Sequence, residues 1–279
     1  NCAKQSEAVI LCDLPSEIRN TILKFCYSQS IRVYVTPKLS DIIIRSAEDS
    51  HLIDSPLLLS RNNGFTFEQR FFKRAVDIVL TLALLFVFSP IMIVTALAIK
   101  LYDRGPVLFL QERYTKGEQK FMIYKFRSMK INSDSIKYVP TMEDDPRVTP
   151  VGKVIRQLRI DEMPQFFNIL KGEMSLIGPR AESVKLTDAY VRDIPEFKYR
   201  LKVKSGLTGY AQVHGKYNTT PYDKLKLDLM YIQNYSWLMD MEIIFLTVKI
   251  LFMKDSTEGF TEEQCATLDI EEAKNGTKK

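Results

Sequence analysis

Residues 84–95, LLFVFSPIMIVT, set a Ser-Pro pair at positions 89 and 90 inside an apolar run that begins at Ile78 and ends at Ile99. The run has 22 residues and no charge, and about 20 apolar residues are enough to cross a bilayer as a helix. Proline fits poorly there, because it removes a helical hydrogen bond and presses its ring against the preceding turn. The flanks do not resolve the matter. Arg70, Lys73 and Arg74 precede the run, while Lys100, Arg104, Arg113 and Lys116 follow it. An excess of Lys and Arg normally marks the cytoplasmic end of a span, and here both ends carry it. Two readings stay open on physics alone. One is a span with an ordinary kink. The other is a hairpin that enters one leaflet, turns at Ser89-Pro90 and leaves on the same face, with the Ser89 hydroxyl bonding a carbonyl freed by the proline.

Working outward, the chain has 279 residues, 46% hydrophobic and 26% charged, which describes folded rather than disordered sequence. The formal charge of +5 is modest and its basic residues are interleaved with acidic ones. That pattern gives nucleic-acid binding little support and suits an anionic membrane surface or a phosphate substrate. Cysteines at 2, 12, 26 and 265 form no CxxC pair and no metal spacing, and only His51 and His214 could assist them, so a reducing cytosolic setting is expected. The chain opens on Asn1 without a signal-peptide pattern, and we expect it to be a piece of something longer.

Residues 1–60 read as a partial Rossmann-like module. AVILC (8–12) is a short buried-type strand, PSEIRNTILKFCYSQ (15–29) a helix and IRVYVTP (31–37) a second strand. No Gly-rich phosphate turn accompanies them, which favours a structural or regulatory role. Residues 61–72 read as a linker, from the Asn-Gly chemistry of SRNNGF. Residues 73–101 are the membrane segment, 102–254 a catalytic domain and 255–279 a polar tail. Within the catalytic domain SWLMDMEIIFLTVKILF (236–252) contains Asp240, Glu242 and Lys249, so an interfacial or core helix is expected there rather than a span.

The stretch MEDDPRVTPVGKVIRQL (142–158) is the richest in chemistry. Thr149 followed by Pro150 predicts a helix start, since Thr caps free backbone N–H groups and Pro needs none at the first helical position. The helix is expected to run through Lys153, Arg156 and Arg159, so Glu143, Asp144 and Asp145 stand just before a positive helix end, close to Arg147. Pro146 biases Asp145 toward extended backbone, so Asp144 and Asp145 are expected to diverge and take two roles, in attack on phosphorus, metal binding or proton management. The bland alternative is that acidic residues near a helix start merely favour its dipole. Nearby, IYKFRSM (123–129) predicts a strand ending in Lys125 and Arg127, and IDEMPQFFNILKGEMSLIGPR (160–180) a helix opened by Asp161 or Glu162 and closed at Gly172. Arg180, after a rigid Gly-Pro, makes a plausible phosphate fork. KSGLTGYAQVHG (204–215) is a Gly-rich loop carrying Gln212, of a kind that lets backbone approach a ligand. Each feature alone is structural as readily as functional, and together they indicate a polyanion site.

The segments KRAVDIVLTLALLFVFSPIMIVTALAIKLYDRGPVLFLQER, YKFRSM, DDPRVTPVGKVIRQLRIDEMPQFFNILKGEMSLIGPR, GLTGYAQVHG and KLKLDLMYIQNYSWLMDMEIIFLT occur in the order seen in the bacterial sugar transferase family, the monotopic phosphoglycosyl transferases. The resemblance spans about residues 67–253. It implies an α-rich α/β fold associated with the membrane, in which a re-entrant helix hairpin joins a small α/β catalytic domain with interfacial amphipathic helices. The implied reaction moves a sugar-1-phosphate from a UDP-sugar to polyprenyl (undecaprenyl) phosphate with release of UMP, at the start of capsule, exopolysaccharide or O-antigen glycans. By the same resemblance the catalytic pair falls on Asp144 and Asp145, Asp144 being the nucleophile of an aspartyl phosphosugar and both carboxylates serving Mg2+. Substrate and phosphate contacts fall on Arg147, Arg156 and Arg180, alongside the Lys125 and Gln212 of the polyanion site. The family commonly reads Gly-Pro-Arg-Pro where this chain has Gly178-Pro179-Arg180-Ala181, which removes one rigid residue from that loop.

A UDP-sugar is cytosolic, so the implied site lies on the cytoplasmic face of the bacterial inner membrane and the hairpin reading is preferred, with Ser89 and Pro90 as the break. The lipid bilayer is an expected partner, nucleic acid is not, and unpaired sheet edges in the N-terminal module are compatible with a homo-oligomer. A catalytically silent membrane scaffold is the alternative from a different class, and a Mg2+-dependent pyrophosphatase is a third.

Overall fold

The structure, a computed structural model, describes residues 8–52, 55–60, 64–130, 145–216 and 219–251. It divides into two compact units, Asn1–Asn62 and Asn63–Lys279. In the first, β1 (Ala8–Leu11) and β2 (Arg32–Val35) pair in parallel across the helix α1 (Ser16–Ser28). Helix α2 (Leu39–Arg45) follows, tied to α1 by an Arg19–Asp41 ion pair. The next two strands, β3 (Glu48–Leu52) and β4 (Ser55–Leu59), form an antiparallel hairpin, where a doubly wound sheet would add a further parallel strand. The described residues thus contain one βαβ unit, and the Rossmann-like expectation extends no further than that.

The second unit starts with one long helix, α3 (Phe67–Asp103), of 37 residues with Pro90 inside it. It begins within the segment expected to be linker, because Thr66 and Gln69 close a reciprocal capping box: the Thr66 hydroxyl accepts from Gln69 N–H and the Gln69 side chain accepts from Thr66 N–H. It is the one helix among the described residues long and apolar enough to cross a membrane. Ser89 Oγ donates to the Phe86 carbonyl at 2.9 Å, which is the carbonyl that Pro90, lacking an N–H, leaves without its helical donor.

Both ends of α3 are fastened to the same unit. At the start, Lys73 Nζ donates to Asp240 at 2.6 Å and to the Tyr231 hydroxyl at 3.0 Å. Arg74 donates to the carbonyls of Ile169 and Leu170, and Asp77 accepts from Leu176 N–H at 3.0 Å. At the far end Asp103 pairs with Arg127, and Met92, Thr95 and Ile99 are buried on one side at helical spacing. Between them Phe86 is 84% exposed, and Val87 and Val94 are also exposed, as apolar side chains in a lipid-facing segment would be.

Beyond α3, β5 (Leu108–Thr115) and β6 (Gln119–Phe126) make an antiparallel hairpin turned at Gly117, whose φ is 69°. Helices α4 (Pro150–Gln157) and α5 (Gln165–Lys171) lead to β7 (Ser175–Ile177). Helix α6 (Val184–Asp193) and a 3-10 stretch, Pro195–Lys202, precede β8 (Gly206–Thr208), which pairs in parallel with β7. Three helices close the unit: α7 (Tyr210–His214), α8 (Pro221–Gln233) and α9 (Trp237–Leu251). The core is filled by Ile169, Met174, Phe197, Leu225, Leu229, Tyr231 and Ile243. Helix α9 turns Asp240 and Ile243 inward and leaves Trp237, Leu238 and Phe245 exposed, which suits a helix with one face on the core and the other against an apolar surface. The tail expected at 255–279 lies outside the described residues.

Candidate functional site

Strand β6 delivers Lys125 and Arg127 at its end, and the chain leaving it is pinned to the segment before α4. Thr149 N–H donates to the Ser128 carbonyl at 3.0 Å, Lys130 N–H to the Arg147 carbonyl at 2.9 Å, and Met129 bridges Val148. Thr149 caps α4 as expected, accepting from Gly152 N–H at 2.9 Å. Gly152 is required by contact, since a Cβ there would stand 2.0 Å from the Ser128 carbonyl oxygen. Helix α4 ends at Gln157, and Arg159, expected within it, adopts a left-handed conformation with φ 54°.

That turn presents Asp161 and Glu162 in a short 3-10 turn, Ile160–Glu162, so neither opens α5 as a cap. Glu162 instead joins two cations. Its Oε1 accepts from Lys125 Nζ and from Arg180 Nη2, each at 2.7 Å. Burial alone would push the Glu162 carboxyl up, but Arg180 and Lys125 outweigh it and hold it well below the usual carboxylate range. Asp161 is pushed up by burial and by the neighbouring charge of Glu162, against the pull of Lys125, Arg156 and Arg180.

Arg113, Lys125 and Arg180 line one tight cleft with Gln165, Ala181 and Gly206. In the sequence Arg113 stood out only as one of the basic residues flanking the apolar run. It is aimed by Gln111 Oε1, which accepts from its Nε at 3.1 Å, and by the Ala181 carbonyl, which accepts from Nη1. The Arg180 loop is held through its backbone: Gly206 N–H donates to the Pro179 carbonyl at 2.9 Å and Arg180 bridges Gly206. This pairing orders the loop up to Ala181, itself 4% exposed.

The Gly-rich loop acts differently from the expectation of ligand approach. A Cβ on Gly206 would stand 2.1 Å from Gly178 N and one on Gly209 2.0 Å from the Gly178 carbonyl oxygen, so these glycines let two backbone segments pack against each other. Gln212 is not among the residues lining the cleft; its Nε2 donates to the Leu207 carbonyl at 3.2 Å.

Asp144 lies outside the described residues. Asp145 is nearly buried and turned onto Arg147, whose backbone N–H donates at 2.9 Å and whose Nε donates at 2.8 Å. The Arg147 side chain, set against some burial, lowers the Asp145 pKa, so this carboxylate is ionised at neutral pH. Arg156 stands near enough to influence both Asp145 and Asp161, and its Nη1 is buried without a hydrogen-bond partner among the described residues. The structure thus brings Lys125 and Arg180 together on Glu162, sets Arg156 beside them, and keeps Arg147 on Asp145.

Among the described residues no group of three His, Cys, Asp or Glu side chains is placed to hold a metal ion. Both oxygens of Asp145 already accept from Arg147, so the described residues alone do not fit a divalent ion.

Behind the cleft, Arg200 Nη2 meets Asp228 Oδ2 at 2.7 Å, with side chains 3% and 2% exposed. Glu182 is buried toward the same group, and burial would raise its pKa, but Arg200 and Arg180 lead a set of cations that lowers it.

A sequence model of the bacterial sugar transferase family matches residues 68–254. The UDP-N-acetylgalactosamine-undecaprenyl-phosphate N-acetylgalactosaminephosphotransferase of Aeromonas hydrophila is 42% identical over 229 residues, 81% of this chain and 53% of that protein. UDP-glucose:undecaprenyl-phosphate glucose-1-phosphate transferases are similar too. That of Klebsiella pneumoniae is 41% identical over 71% of this chain and 42% of its own length. That of Escherichia coli is 41% identical over 64% and 40% respectively. The chain therefore spans about half the length, or less, of these curated relatives.

Proposed function

We propose, on the premise that this chain belongs to the bacterial sugar transferase family, that it transfers a sugar-1-phosphate from a UDP-sugar to polyprenyl phosphate. The observation that carries this reading is the convergence of Arg113, Lys125 and Arg180 on one cleft. A diphosphate exchanged for another diphosphate needs mainly charge neutralisation and alignment, and three preset cations supply both. In the proposed reaction the Asp144 carboxylate attacks the sugar-bearing phosphorus. The bond from that phosphorus to the bridging oxygen breaks, and UMP leaves with the electron pair. A phosphate oxygen of the polyprenyl phosphate then attacks the same phosphorus and returns Asp144 as a free carboxylate.

Asp144 is the residue that would hold Mg2+, with Asp145 added where Arg147 releases it. When bound, the ion would offset phosphate charge. The test is release of UMP from UDP-glucose and UDP-N-acetylgalactosamine by the purified chain with undecaprenyl phosphate, with Mg2+ or with a chelator. Catalytic release, beyond one UMP per protein, is expected only with metal and acceptor together, with the sugar phosphate recovered on lipid. Free sugar phosphate without acceptor would identify a pyrophosphatase, and no release a scaffold.

Removing Arg180 tests the cleft. A charge-assisted hydrogen bond contributes about 1.5–3 kcal/mol, so Arg180→Ala should lower kcat/KM for the UDP-sugar roughly 10- to 150-fold, with partial recovery in Arg180→Lys. An unchanged value would move diphosphate binding elsewhere.

The proposed location is the bacterial inner membrane, with α3 re-entrant and the cleft on the cytoplasmic face. The attachment of both ends of α3 to one unit supports this, as does the Ser89 bond to the carbonyl orphaned by Pro90. In a cysteine-free background, single cysteines at positions 70 and 104 should label from the same face of sealed vesicles. Labelling from opposite faces would make α3 a plain span.

A further inference from the structure

A second basic cluster lies away from the cleft. Helix α5 separates the two: Gln165, at its start, lines the cleft, while Gly172 ends it in a left-handed conformation, φ 84°. At that end, Arg74 Nη2 and Lys204 Nζ each lie 3.5 Å from the point a Cβ on Gly172 would occupy. Lys116 is brought alongside, because its neighbour Thr115 donates through Oγ1 to the Glu173 carbonyl at 2.7 Å and Ser205 Oγ donates to the Tyr114 carbonyl at 3.0 Å.

We propose that Arg74, Lys116 and Lys204 bind the phosphate of an anionic membrane lipid in the opening left by Gly172. The position favours a lipid, since Arg74 stands four residues before Ile78, where the apolar run of α3 begins, and Phe71 and Phe72 beside it are exposed. This rests on the reading that α3 lies in the membrane.

The charge balance favours an anion there. Lys204 makes no hydrogen bond or ion pair among the described residues. Its pKa is lowered, first by burial and then by the nearby charge of Arg74, with Asp77 opposing the fall and Lys116 adding to it. Of the acids nearby, Asp77 is engaged by Leu176 N–H and Glu173 by Asn168 Nδ2. Arg74 spends one donor from each terminal nitrogen on the carbonyls of Ile169 and Leu170 and keeps others free. Cations gathered without a matching carboxylate repel one another until an anion joins them, and a phosphate diester at the headgroup level supplies it.

The test is thermal unfolding of the detergent-purified full chain with added phosphatidylglycerol, phosphatidylcholine or inorganic phosphate. Wild type, Lys204→Gln and, as a surface-charge control, Lys120→Gln are compared. Phosphatidylglycerol should raise Tm in wild type and in Lys120→Gln, by the mass action of a ligand that binds only the folded state. Lys204→Gln should match or exceed the wild-type Tm without lipid, because a repelled cation is gone, and should lose at least half of the lipid-induced rise. An equal rise in wild type and Lys204→Gln would overturn the site, as would a lipid-free Lys204→Gln that is markedly less stable. A Lys204-dependent rise of the same size with inorganic phosphate would overturn the lipid assignment. Recovery of the chain in the soluble fraction after lysis without detergent would overturn the membrane reading itself.

Discussion

Asp144→Asn is expected to lower UMP release at least about 1,000-fold while the protein keeps its fold and its metal-free affinity for the UDP-sugar. An amide has nearly the shape of a carboxylate but lacks the charge with which the nucleophile attacks, so the loss falls on the chemical step. The cations of the cleft remain in place in this variant, because Lys125 and Arg180 are held by Glu162 and not by the carboxylate pair. Binding and chemistry should therefore separate, with kcat falling and Kd for the UDP-sugar, measured without Mg2+, nearly unchanged. Turnover at the wild-type rate in Asp144→Asn would remove that residue from the nucleophile role.

Arg200→Met should be the most damaging single change to stability among the charged pairs described. Arg200 and Asp228 are almost without solvent contact, and removing one partner of a buried pair costs about 3–5 kcal/mol because the other charge is left uncompensated. Burial has raised the Asp228 pKa to about 6 even with Arg200 beside it, Glu182 adding to the rise and Lys224 opposing it. A carboxyl with a raised pKa in the fold contributes stability that is fully present below its unfolded pKa and is lost as pH rises through the folded one. Without Arg200 the folded pKa rises further, so the deficit of Arg200→Met should be greatest above neutral pH and shrink as pH falls toward 5. Denaturant unfolding in detergent at several pH values reads this directly. The double change Arg200→Met with Asp228→Leu should recover most of the loss, and a deficit that is the same at every pH would refute the account of Asp228.

What the sequence revealed and what it withheld divide along physical range. The start of α4 was legible because Thr149 and Pro150 act on their own turn; Ser89 and Pro90 stood out for the same reason, yet α3 runs through them as one helix, Phe67–Asp103. The capping box of Thr66 and Gln69 was equally local and was hidden by the basic cluster that follows it. Residues whose roles depend on distant partners were read as something simpler. Glu162 looked like a helix cap, yet its carboxylate is claimed by Lys125 and Arg180, 37 and 18 positions away. The glycines at 206 and 209 looked like a ligand-facing loop, yet what approaches them is the backbone of Gly178. Arg113 was read only as a basic flank of the apolar run, since part of what aims it is the Ala181 carbonyl, 68 positions along the chain. Local pattern reached Lys125, and local pattern with family resemblance reached Arg180, while their shared carboxylate partner emerged only from the packing of a 3-10 turn against a strand end.

The most direct measurement is the intact mass of the wild-type protein after brief incubation with a UDP-sugar and Mg2+ in the absence of polyprenyl phosphate. The expected result is a species heavier by one phosphosugar, with UMP released in equal amount. It should be absent in Asp144→Asn and discharged when undecaprenyl phosphate is added. Release of UMP that requires the lipid acceptor from the outset, with no such species at any time, would contradict a covalent aspartyl phosphosugar.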